Sequence, residues 1–187
     1  GLFLGWSLGA NDAANVFGTA VGTRMIRFKT AAIVCGIFVI LGAVISGAGT
    51  TETLGKLGAI NALPGAFAVC IAAGLAVYLM TKLGLPVSTT QAIVGAIVGW
   101  NIYTGSSTDI QTLITIIGTW ILCPVIAGLI AMLLFTITKT IIRHNTLHIL
   151  RLDAYTRLAL LLAGAFGAYS LGANNIANVM GVFVPIS

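Results

Sequence analysis

The sequence predicts an all-α polytopic membrane protein built on inverted-topology repeats. Three observations predict it. Hydrophobic residues make up 58% of the 187-residue chain and charged residues only 7%, against about 45–50% and 25% in an average soluble domain. So few charges cannot cover a water-facing surface. The apolar stretches reach about 18 residues or more, the length that spans ~30 Å of hydrocarbon, and their Gly and Ala content suits close helix packing in lipid. Finally, the segment Ser7-Leu8-Gly9-Ala10-Asn11-Asp12-Ala13-Ala14-Asn15-Val16-Phe17-Gly18 recurs 163 residues later, from Ser170 to Gly181, with nine of twelve positions identical. Both copies place strongly polar side chains in apolar sequence, as expected of one site built from two halves.

In chain order, a first segment covers residues 1 to about 21 and holds the first copy. Arg24, Arg27 and Lys29 follow. A second segment covers about 30–48, a polar connection with Glu52 and Lys56 covers 49–61, and a third segment covers about 63–83. Residues 84–91 read Gly-Leu-Pro-Val-Ser-Thr-Thr-Gln and precede an apolar run to Tyr103; residues 103–109 are a turn rich in Gly, Ser and Thr. The stretch 110–142 would be ~50 Å long as one helix, so it tilts, kinks or projects, with Pro124 as the expected kink. Lys139, Arg143, His144, His148, Arg151 and Arg157 form a basic linker. A last segment, starting near Tyr155, carries the second copy. Residues 1–138 thus read as a first transmembrane repeat, 139–157 as a basic cytoplasmic linker, and 158–187 as the start of a second, inverted repeat. Without an initiator Met, and stopping soon after the second copy begins, the chain reads as a fragment of something longer.

The basic clusters orient these segments. Basic residues at segment ends face the cytoplasm, so the net charge of +5 marks a membrane pattern and no nucleic-acid partner. A cluster follows the first copy and precedes the second, so the copies cross the membrane in opposite senses, as in many secondary transporters. This needs an odd number of crossings between them. There are five if every segment crosses, and the count changes if the Pro86 region folds back. Asn11 lies 13 residues before Arg24, ~20 Å along a helix, and Asn174 lies 17 after Arg157, ~25 Å; both are deep in the hydrocarbon.

Asn11 and Asn15, spaced i, i+4, share a helix face, and Asn174 and Asn178 repeat the spacing. Asp12 sits beside the first pair; Asn175 takes its place in the second. An ionised Asp at that depth costs at least ~2.5–3.5 kcal/mol unless compensated. A bound Na⁺ or similar ion would compensate it, with amide and carboxylate oxygens as hard ligands and Gly9 and Gly172 permitting local unwinding. The bland alternative is that these Asn residues only hydrogen-bond helices together. In the second constellation, Pro86 breaks any incoming helix and Ser88 caps the next. A helix start inside the protein, with three hydroxyls at Ser88, Thr89 and Thr90, makes an anion site without a cationic side chain; alternatively it is an ordinary capped loop. Glu52 and Asp109 read as solvated. The His144/His148 pair reads as a surface face, and Cys35, Cys70 and Cys123, each alone in an apolar run, read as small hydrophobes. No catalytic constellation or resident cofactor is expected, so the chain is not read as an enzyme. The residues alone point to a symporter of an oxyanion and a cation.

The duplicated Gly-Ala-Asn motif and Pro86-Val87-Ser88-Thr89-Thr90-Gln91-Ala92-Ile93-Val94-Gly95 together resemble the inorganic phosphate transporter family, along the whole chain in order and spacing. The resemblance implies phosphate uptake coupled to sodium or protons, by alternating access in a multi-pass cell-membrane protein. It also implies inverted repeats that each carry a re-entrant hairpin, of which this chain holds the first repeat and the opening helix of the second. By position, Ser88, Thr89, Thr90, Gln91, Asp12 and Asn175 would bind phosphate, and Asn11, Asp12, Asn15, Asn174 and Asn178 would bind Na⁺. A homo-oligomer, a dimer, is expected. Two departures stand out: the family usually has Asp where Asn175 stands, which removes a charge, and many members have His where Gln91 stands, which leans away from proton coupling there. Sulfate in place of phosphate, a passive anion channel, and a non-transporting protein held together by its Asn residues are the competing readings.

Overall fold

The computed structural model describes residues 1–55, 57, 63–85, 87–144 and 148–183, except for the side chains at 50, 52, 53 and 55. Pro86 and the side chain of Glu52 therefore lie outside the described residues. Six helices are formed: α1 (Leu2–Gly22), α2 (Phe28–Gly55), α3 (Leu63–Lys82), α4 (Thr89–Thr104), α5 (Ile110–His144) and α6 (Ile149–Met180). The all-α membrane architecture is the one predicted. Among the described residues, three helices are apolar and long enough to cross a bilayer: α2 over Phe28–Gly49, α3 and α5.

Two boundaries differ from expectation. α2 continues through the start of the polar connection to Gly55, because hydroxyls there bond back along the helix, as Thr51 Oγ1 does to the Gly47 carbonyl at 2.7 Å. α6 begins well before Tyr155, because His148 Nδ1 accepts from Leu150 N–H at 3.3 Å and caps it. His144 meanwhile contacts the Thr140 carbonyl, so each histidine of the basic stretch serves a helix end. Asp109 is exposed as expected, and it also starts α5 by accepting from Gln111 N, Thr112 N and Thr112 Oγ1. The Thr112 hydroxyl, then the Thr112 and Gln111 backbone N–H groups, hold its carboxyl below the usual range. The cap's contribution is therefore present above the ordinary carboxylate pKa and is lost as pH falls through the depressed one.

Side-chain neighbours fix the helix directions. Along α1, Gly5 faces Val179, Asp12 meets Asn175, Val16 faces Gly167 and Phe17 faces Gly164. Numbers rise on α1 as they fall on α6, so the two motif copies pack antiparallel. Val39 lies at Gly172, Gly47 at Ile176 and Leu54 at Gly181, so α2 runs parallel to α6. The Arg157 guanidinium donates to the Met25 carbonyl at 2.5 Å, which puts both basic clusters at one end of the molecule.

α3 runs parallel to α1, with Trp6 on Tyr78 (ring centroids 5.9 Å apart) and Thr81 donating to Asn11 at 3.4 Å. It stops there, with Gly22 at the end of α1 still ten residues beyond Asp12, or ~15 Å further. Gly84, at φ +69°, closes α3 with bonds from Gly84 N to Thr81 O and Leu85 N to Met80 O, the Schellman pattern that satisfies terminal carbonyls. α4 then runs back, bringing Trp100 to Gly65. α3 and α4 thus form a hairpin that turns beside the first motif, the fold-back that would change the count of five crossings, and the motif copies on α1 and α6 pack antiparallel.

The long α2–α6 contact is made through glycine. A methyl group added at Gly42 would collide with the Tyr169 carbonyl, and one at Gly172 with the Val39 carbonyl; one at Gly128 on α5 would meet nothing within 4 Å. Overpacking of a dense contact typically costs ~1–3 kcal/mol. Gly172→Val and Gly42→Val should accordingly lower the thermal unfolding midpoint in detergent by several degrees, with Gly128→Ala leaving it unchanged or slightly higher.

Candidate functional site

The hairpin tip, the middle of α1 and the C-terminal part of α6 converge on Asp12. Its carboxylate is buried, 7% exposed. Oδ1 accepts from Asn11 Nδ2 at 2.8 Å; Oδ2 accepts from Asn175 Nδ2 at 2.8 Å and from Thr89 Oγ1 at 3.4 Å. All these donors are neutral. The ion pair among the described residues is Arg157–Asp153, at the basic end.

Asn11 has a second task. Its Nδ2 also donates to the Val87 carbonyl at 3.2 Å, in the segment between α3 and α4 where no helix supplies a partner. A broken backbone at membrane depth is tolerated only where the protein or a water-filled cavity satisfies it, and Asn11 does so here. Thr81, which sequence reading missed, packs beside Asn11: its hydroxyl donates to the Val77 carbonyl at 2.8 Å and lies 3.4 Å from Asn11 Oδ1. It is the last polar side chain in the third apolar segment before Lys82, which was the available signal.

On the other side of the tip, Thr90 Oγ1 accepts from Asn178 Nδ2 at 3.2 Å and from Asn174 Nδ2 at 3.4 Å, and Asn178 also donates to Asn175 Oδ1 at 3.3 Å. The four residues of the second copy and the tip thus form one layer joined to Asp12. Asn178 is fully buried. Asn15 is exposed and shares a cleft wall with Ser88, Thr89, Thr90, Ser170 and Asn174; the cleft volume is ≈ 600 Å³. Ser170 is a second residue not singled out in sequence. Its repeat partner Ser7 is instead buried and bonded to the Phe3 carbonyl at 3.0 Å. Gln91 is exposed and supplies its backbone N–H to the Ser88 cap at 3.3 Å.

The cleft sits at the start of α4. Ser88 is the N-cap, and the first-turn N–H groups of Thr89 and Thr90 have no carbonyl to reach within their own helix. Such N–H groups and the positive helix end favour an anion. Asp12, with Asn15 and the Asn174 amide nearby, offers hard oxygen donors for a cation. One cleft therefore carries groups suited to an anion and groups suited to a cation on its walls. A second groove, of ≈ 510 Å³ between α1 and α2, is walled by Ala13, Ala14, Phe17, Phe28 and other apolar residues and offers no such chemistry. Among the described residues no cluster of His, Cys, Asp and Glu could hold a transition metal.

A family model described as the phosphate transporter family matches residues 8–152. A candidate phosphate permease of Pyrococcus furiosus is 36% identical over 157 residues, covering 78% of this chain and 38% of that protein. One from Haemophilus influenzae is 36% identical over 154 residues, 76% of this chain and 36% of that one. A solved structure titled "The sodium-dependent phosphate transporter" superposes with a TM-score of 0.79 at 23% identity, over 98% of this chain and 64% of that one, a likeness of fold. The chain spans a little over a third of the length of these permeases.

Thr90→Val keeps the side-chain shape and removes the oxygen that Asn174 and Asn178 share. A buried amide left without its partner costs ~1–3 kcal/mol, so this variant should unfold at lower temperature in detergent than Gln91→Leu, whose side chain is exposed.

Proposed function

The chain belongs to the phosphate transporter family, and from that premise we propose that it forms part of a secondary transporter that moves inorganic phosphate with a cation, Na⁺, by alternating access. The observation that carries this reading is the buried Asp12 carboxylate, surrounded by neutral donors beside the start of α4. Phosphate takes the N–H groups and hydroxyls of Ser88, Thr89 and Thr90. A cation takes the oxygens of Asp12, with Asn11, Asn15 and the second-copy amides around it.

Coupling follows from the sign of the charges. Without a cation, Asp12 repels an incoming phosphate; two unit charges 4 Å apart interact by about 4 kcal/mol at an effective dielectric of 20. A cation bound first converts that repulsion into attraction. The two ligands then raise each other's affinity by the same factor, and a carrier that changes access only when both or neither are bound transports them together. The amide of Asn175 donates to Asp12, a role that an ionised Asp at that position could not fill. The neutral residue lowers the charge that cations must balance.

The test is uptake by the complete protein in proteoliposomes. Phosphate accumulation should require an inward Na⁺ gradient. Uptake unchanged when K⁺ replaces Na⁺ at fixed pH would remove sodium as the coupling ion, and dependence on a pH gradient would then assign the proton. Replacing Asp12 by Asn removes most of the ~4 kcal/mol attraction, so Na⁺-driven uptake should fall by about a hundred-fold or more. Full Na⁺-driven uptake in that variant would contradict the assignment of the cation to Asp12.

A further inference from the structure

Two cavities meet at the layer formed by Thr90, Asn174 and Asn178. The cleft described above extends from this layer toward the basic end of the molecule, where Val16, Ala163 and Gly167 line it. A second cavity, of ≈ 290 Å³, lies on the opposite side, and Thr90 and Asn174 line both. Leu54, Ile116 and Ala177 place the second cavity toward the other end, where α2 finishes and α5 begins. Its α5 wall is Thr119, Trp120 and Cys123. Pro124, which has no N–H, withholds the usual helical partner from the Trp120 carbonyl on that wall.

We propose that the second cavity is the other half of the phosphate path, that Thr119, Trp120 and Cys123 line it, and that the Thr90–Asn174–Asn178 layer is the partition between the halves. The proposal rests on the transport reading above. In this arrangement the polar cleft faces the basic side and the largely apolar second cavity faces the other. The partition is built to part. One hydroxyl oxygen accepts both amide bonds, at 3.2 and 3.4 Å, the first at the long end of the usual N–H···O range and the second beyond it. Asn174 and Asn178 lie on α6 and Thr90 on α4, so a shift of the hairpin against α6 opens one cavity to the other. Phosphate bound at the start of α4 takes over the Thr90 hydroxyl and so competes with the bonds that hold the partition.

Cys123 is a native reporter. In the complete protein, with every other cysteine replaced by Ala, Cys123 should react with a charged, membrane-impermeant methanethiosulfonate. It should do so only from the side opposite that which labels Arg151→Cys, and Thr119→Cys should show the same sidedness. Leu122→Cys, in a Cys123→Ala background, points outward and should not react. Complete modification of Cys123 should abolish phosphate uptake. Reaction of Cys123 and Thr119→Cys from the basic side, equal reaction at Leu122→Cys, or full uptake after complete modification would overturn the path, the last leaving transport itself intact. Absence of uptake by the unmodified protein carrying native Cys123 would fail the transport reading and the inference with it.

Discussion

Asp12 lies where two antiparallel helices cross, in a protein whose outer solvent is mostly hydrocarbon. Among the described residues no cationic side chain pairs with it, and its oxygens are met by neutral donors from its own helix and from other elements. Asn11 meets one oxygen from its own helix; Asn175 and Thr89 meet the other from α6 and α4. These three donors come from residues far apart in sequence. Holding them around one carboxylate requires the α3–α4 hairpin to stop at its tip and α6 to present the right face. None of these donors carries a charge, which is the ground on which a cation is proposed there.

The approach of α6 depends on what the helices lack. Gly42 and Gly172 let backbone meet backbone where any Cβ would collide. Lipid supplies no hydrophobic drive for helices to associate, so close packing of small residues supplies the contact instead. The consequence reaches the site: α6 is held against α2 along its length, and that fixes the height and rotation at which Asn174, Asn175 and Asn178 face the tip. By contrast, α5 is exposed over most of its surface, with Ile116 as its buried residue, so the site is framed mainly by α1, α4 and α6.

The hairpin tip shows how the backbone and the site share the same groups. Gly84 ends α3 with its carbonyls bonded, Ser88 begins α4 with its side chain on Gln91 N–H, and Asn11 covers the Val87 carbonyl. What remains open is the set of first-turn N–H groups of α4, which point to where an anion is wanted. Ser88 thus serves both the break, as the cap of α4, and the cleft wall beside the proposed anion position.

Much of this was legible in the sequence. Composition and segment length determined a helical membrane protein, because hydrocarbon tolerates few charges and requires about twenty apolar residues per span. The duplicated motif and the two basic clusters determined that the copies oppose each other. The structure bears that out directly, since α1 and α6 pack antiparallel with Asp12 against Asn175. The site residues were identifiable by kind, as polar groups that lipid would otherwise reject. Their partners were not. That Asn175 rather than Asn174 or Asn178 reaches Asp12, that both of the latter share Thr90, and that Thr81 packs beside Asn11 all depend on helix rotation and interhelical distance. Those are settled by glycine contacts such as Gly42 with Tyr169 and Gly172 with Val39, between residues more than a hundred positions apart, and a linear pattern carries no information about such distances.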